Sequence, residues 1–179
     1  MGLFAAISDA TALFMLWLFV ATGLQKINPA NTTYFSELIV NFGWSDKRFA
    51  GVIIKIIGVI EIGTGIAIIV PSSRANAIFM AIALLFAYLA HMAFQLVQGR
   101  RDLDCGCGGP ASQLKMSSHL LYRNAALIGL AFFCLAPGNT FQISSWLLSI
   151  VVAVVCIVVH QSCEQLINNA QKLKTLRTY

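Results

Sequence analysis

Charge is what this chain has least of. Only 11% of its 179 residues are charged, against 58% hydrophobic, and the mean hydropathy is +0.78. So little polar surface cannot coat a water-soluble globule, which excludes a soluble single domain. Length is short as well: about five spans of roughly 20 residues leave no room for a folded extramembrane domain. Twelve basic residues outnumber seven acidic ones. Most of the basic ones flank apolar runs, where orientation in a membrane accounts for them without a nucleic-acid partner. No basic n-region precedes the first apolar run. Ala10 to Leu24 ends in Gln25 and Lys26 without a small-residue cleavage site, so a retained helix is expected. No internal repeat or low-complexity segment stands out. The five cysteines are odd in number and cannot all pair within one chain.

What is present is a series of apolar runs separated by turn signals. They predict an all-α membrane protein of about five transmembrane helices in a single domain, with spans at about 8–25, 49–70, 75–97, 119–136 and 143–161. Between the first two, Tyr34, Phe35, Leu38, Ile39 and Phe42 recur at helical spacing after Asn28 and Pro29, which predicts a short interfacial helix over about 30–42. Tyr34 and Trp44 suit headgroup depth. A polar loop over 98–118 and a basic tail after the last span complete the chain. Five spans put the first connection, this loop and the tail on one side of the membrane. That side holds ten of the twelve basic residues, the other only Arg74. The positive-inside rule therefore points to a cytoplasmic loop.

The loop carries Cys105-Gly106-Cys107-Gly108-Gly109-Pro110. A disulfide between thiols one residue apart closes a small, strained ring, and strained disulfides tend to be oxidising and labile. Glycines around it permit a sharp backbone and the close approach of a second protein. Arg100 and Arg101 favour the thiolate, whereas Asp102 and Asp104 oppose it. Three readings stand side by side: a redox exchange pair, a soft-metal site drawing on His119 or Cys163, and ordinary loop cysteines. Two thiols supply only half of the four ligands of a closed zinc site, and no metal is expected. Cys163 is a candidate resolving thiol or a membrane-edge cysteine. Cys134 and Cys156 are expected to be inert core residues.

Within the spans, Gly51, Gly58 and Gly65 recur every seven residues and make a face for close helix approach, either within the chain or against other membrane helices, as in a non-catalytic subunit of a larger membrane complex. Glu61 shares that face. A mid-span carboxylate should point inward and meet a donor, with Lys26, Lys55 and Arg123 as candidates, for proton transfer, cofactor contact or a structural ion pair. Tyr88, His91, Gln95 and Gln98 line one face of the third span, running toward the loop; they suit a quinone headgroup, a proton relay or plain interhelical hydrogen bonding. Arg123 and Asn124 follow the loop and either hold it to the bundle or anchor the helix at the interface.

Gly23-Leu24-Gln25-Lys26, Glu61-Ile62-Gly63-Thr64-Gly65, Gly99 before Cys105-Gly106-Cys107-Gly108-Gly109, and Arg123-Asn124 together resemble the MauE branch of the DoxX-like membrane proteins, known from methylamine utilisation. The resemblance covers roughly residues 15 to 130. It departs where Gly108-Gly109 stands in place of the aromatic residue often found there. It implies a DoxX-like four-helix core with one added helix, in a bacterial inner membrane. It also implies a thioredoxin-like partner for making or maintaining disulfides in exported proteins, with Cys105 and Cys107 as the exchange pair and Gly106, Gly108, Arg123 and Asn124 in support. By analogy of architecture with quinone-linked disulfide-forming enzymes, membrane quinone is a candidate electron partner, with Glu61, His91, Tyr88, Gln95 and Lys26 as its contacts. Exported clients argue for a loop outside the cytoplasm, opposite to the side that the charges indicate.

Overall fold

The computed structural model describes residues 2–41, 47–100, 103–106, 109–110, 115–135 and 143–177, and among these it is built almost entirely of helices. Six are α-helical: α1 (Gly2–Ile27), α2 (Thr32–Asn41), α3 (Lys47–Ile69), α4 (Arg74–Val97), α5 (Ser118–Phe133) and α6 (Ile143–Arg177). Four meet the length and apolarity needed to cross a membrane, over Phe4–Ile27, Phe49–Ile69, Arg74–Val97 and Trp146–Leu173. α5 has 16 residues. At 1.5 Å per residue that is about 24 Å, short of a hydrocarbon core about 30 Å thick. Among the described residues four helices thus have full spanning length, and the shorter α5 stands in the place of the fourth expected span. The basic tail also differs from expectation, because α6 stays helical to Arg177 instead of ending near residue 161.

Local chemistry sets the breaks. Asn28 is extended, as a residue before proline prefers, and its side chain accepts from Ala30 N at 3.1 Å. A 3-10 turn, Pro29–Asn31, follows, and Asn31 Nδ2 donates back to the Gln25 carbonyl at 3.1 Å. That bond satisfies one of the carbonyls left open at the end of α1. Trp44 and Phe42 lie outside the described residues. After α3, Ser73 Oγ donates to Ala67 O at 3.0 Å across the turn holding Pro71.

α1 is the central helix, packed against α3 and α6, while α4 joins α3 to α5 and α2 lies on α3. The main core gathers Phe14, Met15 and Phe19 of α1 with Ile78 and Leu85 of α4, Leu127 of α5 and Cys134 at the C-cap of α5. Outward surfaces are apolar too: Val59, Phe86 and Val151 are each about 60% exposed. Such a surface is unstable in water and matches lipid tails. Cys134 is buried as expected, but Cys156 is exposed on the outer face of α6 and is not a core residue.

One end of the bundle is tied by Arg74, whose Nη1 donates to Asp9 at 2.8 Å and Nη2 to Ser8 Oγ at 3.0 Å. The opposite end brings together the ends of α1, α4 and α6, the start of α5 and the cysteine loop, because α3 and α5 run antiparallel to those three helices.

Candidate functional site

The glycine face of α3 is used inside the chain. Gly58 and Gly23 of α1 meet so closely that a Cβ on either would stand 2.7–2.9 Å from the other's carbonyl oxygen. Gly65 lies against Leu16 O, and Gly51 against Ser36 of α2. The seam is therefore occupied within this chain and is not free for helices of another subunit. Each glycine also makes room for a charge: Glu61 Cβ sits beside Gly23, and Lys26 Cβ beside Gly58. Lys26 Nζ reaches both carboxylate oxygens of Glu61, at 2.9 and 2.8 Å. Tyr88 of α4 donates its hydroxyl to Glu61 Oε1, and the Lys26 ammonium lies 5.4 Å from the centre of the Tyr88 ring. Both charged residues are buried, Glu61 at 1% exposure. A charge out of water needs a partner and several hydrogen bonds, and this arrangement supplies them. Of the three donors expected for Glu61, Lys55 is exposed and Arg123 is engaged elsewhere.

The cysteine loop is pinched at its base. Asp104 and Lys115 form an antiparallel bridge, and Met116 N donates to Leu103 O at 3.0 Å. Beyond the base the backbone rests directly on the bundle. Gly106 and Gly109 both have φ of +71°, where a side chain would be strained. A Cβ at Gly106 would fall on Leu38 of α2, and one at Gly109 on the side-chain amide of Gln25, next to Lys26. Cys105 is half-buried, with Sγ 3.6 Å from Sδ of the buried Met92. The same cluster of Met92 and Leu120 packs against Tyr88, so the sulfur and the Lys26–Glu61–Tyr88 network share one wall. Cys107 and Gly108 lie outside the described residues.

Arg123 and Asn124 act as struts. Asn124 Nδ2 donates to the buried Leu85 carbonyl of α4 at 3.1 Å, and Arg123 forms an ion pair with Glu164 of α6. Cys163, adjacent to Glu164, is exposed on α6. His91 is half-buried on α4, and Gln95 is buried with Oε1 meeting no hydrogen-bond donor among the described residues. Gln98 is exposed. Residue pattern missed Met92, Gln171, Glu164 and the Asp9–Arg74 pair. Asp9 could have been found, because it sits near the expected start of the first span and Arg74 is the single basic residue assigned to that side; a methionine in an apolar run carries no such signal.

The family model described as methylamine utilisation protein MauE matches residues 3–137. A methylamine utilization protein MauE of Paracoccus denitrificans is 29% identical over 122 residues, covering 68% of this chain and 64% of that protein. Its counterpart from Methylophilus methylotrophus is 26% identical over 126 residues, covering 70% and 65%. The chain thus spans just under two thirds of the curated relatives it matches. No solved structure matches. The matched stretch takes in Lys26, Glu61, Tyr88, the cysteine loop and Arg123-Asn124, and on it the chain belongs to the MauE family of methylamine utilisation proteins.

Proposed function

We propose that this membrane protein exchanges electrons through Cys105 and Cys107 with a thioredoxin-like partner, supporting the maturation of disulfide- or cofactor-containing proteins, as the relatives' link to methylamine utilisation suggests. The observation that supports this best is the setting of Cys105: half-buried on Met92, in a pinched loop whose glycine backbone lies on α1 and α2. A thiol held this way is presented at the bundle's end without being sealed in its core.

The exchange balances within the two proteins. A partner thiolate attacks one sulfur of the Cys105–Cys107 disulfide, forming a mixed disulfide and releasing the other sulfur as a thiolate, which takes up a proton. The partner's second thiolate then attacks the mixed disulfide. The partner leaves oxidised, and the pair holds two electrons and two protons as thiols; the reverse sequence oxidises the pair. A membrane quinone, when bound, would supply two-electron, two-proton acceptance. Gln95 and His91 are the residues that would hold it, since Gln95 Oε1 is a buried acceptor with no donor among the described residues and suits a quinol hydroxyl. Lys26, Glu61 and Tyr88 satisfy one another, and their part is to fix the wall on which Cys105 rests.

The membrane is that of a bacterial cell, and the gathering of Lys26, Arg100, Lys115, Arg123 and Lys172 at the loop end supports a cytoplasmic loop. Differential alkylation with mass spectrometry, on membranes incubated with an oxidised or reduced thioredoxin-like protein, tests the exchange. Wild-type protein should shuttle between alkylated and linked forms of the pair, and Cys105→Ser and Cys107→Ser should each abolish transfer. Undiminished transfer in both variants would overturn the proposal.

A further inference from the structure

α6 presents one face to the bundle along nearly its whole length. Ser149, Ala153, His160, Glu164, Ile167 and Gln171 recur at spacings of three, four and seven, which keeps them on one side of the helix. Ser149 Oγ donates to Ala6 O at 2.9 Å at one end of the bundle. His160 packs edge-on against Phe14 and Trp17 of α1, Glu164 pairs with Arg123, and Ile167 packs on the Met92–Leu120 cluster that holds Cys105. The last residue of this face reaches the loop. Gln171 Oε1 accepts from Lys115 N at 3.0 Å, and its Nε2 donates to Lys115 O at 3.0 Å and to Ser117 Oγ at 3.3 Å.

The pairing has a specific form. The Met116–Leu103 hydrogen bond makes Asp104–Lys115 a non-hydrogen-bonded antiparallel pair, in which the residue's own N–H and C=O point away from its partner. At Lys115 both of those outward groups go to Gln171, so the side-chain amide stands where a third strand would. Asp104 directly precedes Cys105, and the path from α6 to the sulfur is therefore three residues long: Gln171, Lys115, Asp104. Residues of α6 lie outside the stretch matched by the family model, which ends at residue 137. The support of the cysteine loop thus includes a helix that the family's shared pattern does not cover.

We infer that Gln171 is a positioning residue for Cys105: these three hydrogen bonds hold the loop base closed and keep the sulfur on Met92, so that drawing Cys105 into a disulfide works against them. This inference rests on the redox reading above. Release of the base frees Cys105 from its seat on Met92 and makes the disulfide form easier to keep, so the pair becomes less oxidising.

The test is a glutathione titration of the full-length protein in detergent. The equilibrium is one in which the pair's disulfide and two glutathione thiols give two pair thiols and one glutathione disulfide, and it is read by mass-shift alkylation. Gln171→Leu should lower that equilibrium constant by about threefold or more, the scale set by losing modest hydrogen bonds. Ser117→Ala should move it less in the same direction. Leu173→Ala, on the same turn but 62% exposed, should leave it unchanged. A wild-type pair that titrates with a constant unaltered by Gln171→Leu overturns the positioning role and leaves the redox reading standing, as does an equal shift in Leu173→Ala. A wild-type pair that forms no reversible disulfide overturns both.

Discussion

Replacing Glu61 with leucine should be among the costliest single substitutions in this protein. The carboxylate is 1% exposed and the Lys26 side chain 9%, and three donated hydrogen bonds converge on Glu61 from Lys26 and Tyr88. Glu61→Leu removes the acceptor of all three and leaves a buried ammonium opposite a hydrocarbon side chain. Breaking one partner of a buried pair costs about 3–5 kcal/mol. For a chain of this size that is a fall in Tm of roughly 6–20 °C. Lys26→Met should cost a similar amount for the complementary reason. The double variant Lys26→Met/Glu61→Leu removes both charges together and replaces them with apolar groups, so it should return to within about 2 kcal/mol of wild type. Thermal unfolding of the four proteins in one detergent closes the cycle. The reasoning fails if either single variant stays within about 1 kcal/mol of wild type, or if the double variant loses the sum of the two singles.

Gly58→Ala places a methyl group 2.9 Å from the Gly23 carbonyl and should destabilise by about 1–3 kcal/mol, whereas Gly63→Ala, with nothing within 4 Å, should stay within about 0.5 kcal/mol; equal melting temperatures would refute the tight α1–α3 crossing. Gly109→Ala combines a positive φ with a collision on Gln25, so the loop should lift from α1 and the alkylation rate of reduced Cys105 should rise several-fold; an unchanged rate would show that the loop is not seated there. Tyr88→Phe should cost about 1 kcal/mol in the same unfolding assay, since Glu61 keeps its Lys26 bonds; a loss as large as that of Glu61→Leu would mean that Tyr88 carries the network.

Much of the architecture was legible in residue pattern. Runs of apolar residues bounded by Pro29, Pro71 and the polar loop mark helices because a membrane admits backbone only when its hydrogen bonds close within the segment. The break at Asn28-Pro29 and the helix over Thr32–Asn41 follow from local cues of the same kind. Cys156 departs from expectation for a related reason: an apolar run looks the same whether a side chain faces the core or lipid, and the face of α6 that carries it turns outward. The helical continuation of α6 past the span at about 143–161 is not legible in residue pattern, since that polar stretch has no long apolar run and gains its order from Arg123, the Met92–Leu120 cluster and Lys115.

The candidate site divides along the same line. Cys105, Cys107 and their glycines could be singled out because close thiol spacing is itself chemical information, and Glu61 because a carboxylate inside an apolar run demands a partner. Which partner it takes was not decidable from pattern. Lys26 stands 35 positions away and Glu164 stands 41 from Arg123. Composition and order by themselves determined that this protein is helical, membrane-embedded and equipped with a thiol-bearing loop, because those properties depend on how each segment partitions between water and lipid. Only the tertiary structure decided that Lys26 faces Glu61, that Met92 meets Cys105 and that Gln171 closes the loop, because such pairings depend on which faces of separate helices touch, and that is set by packing across the whole bundle.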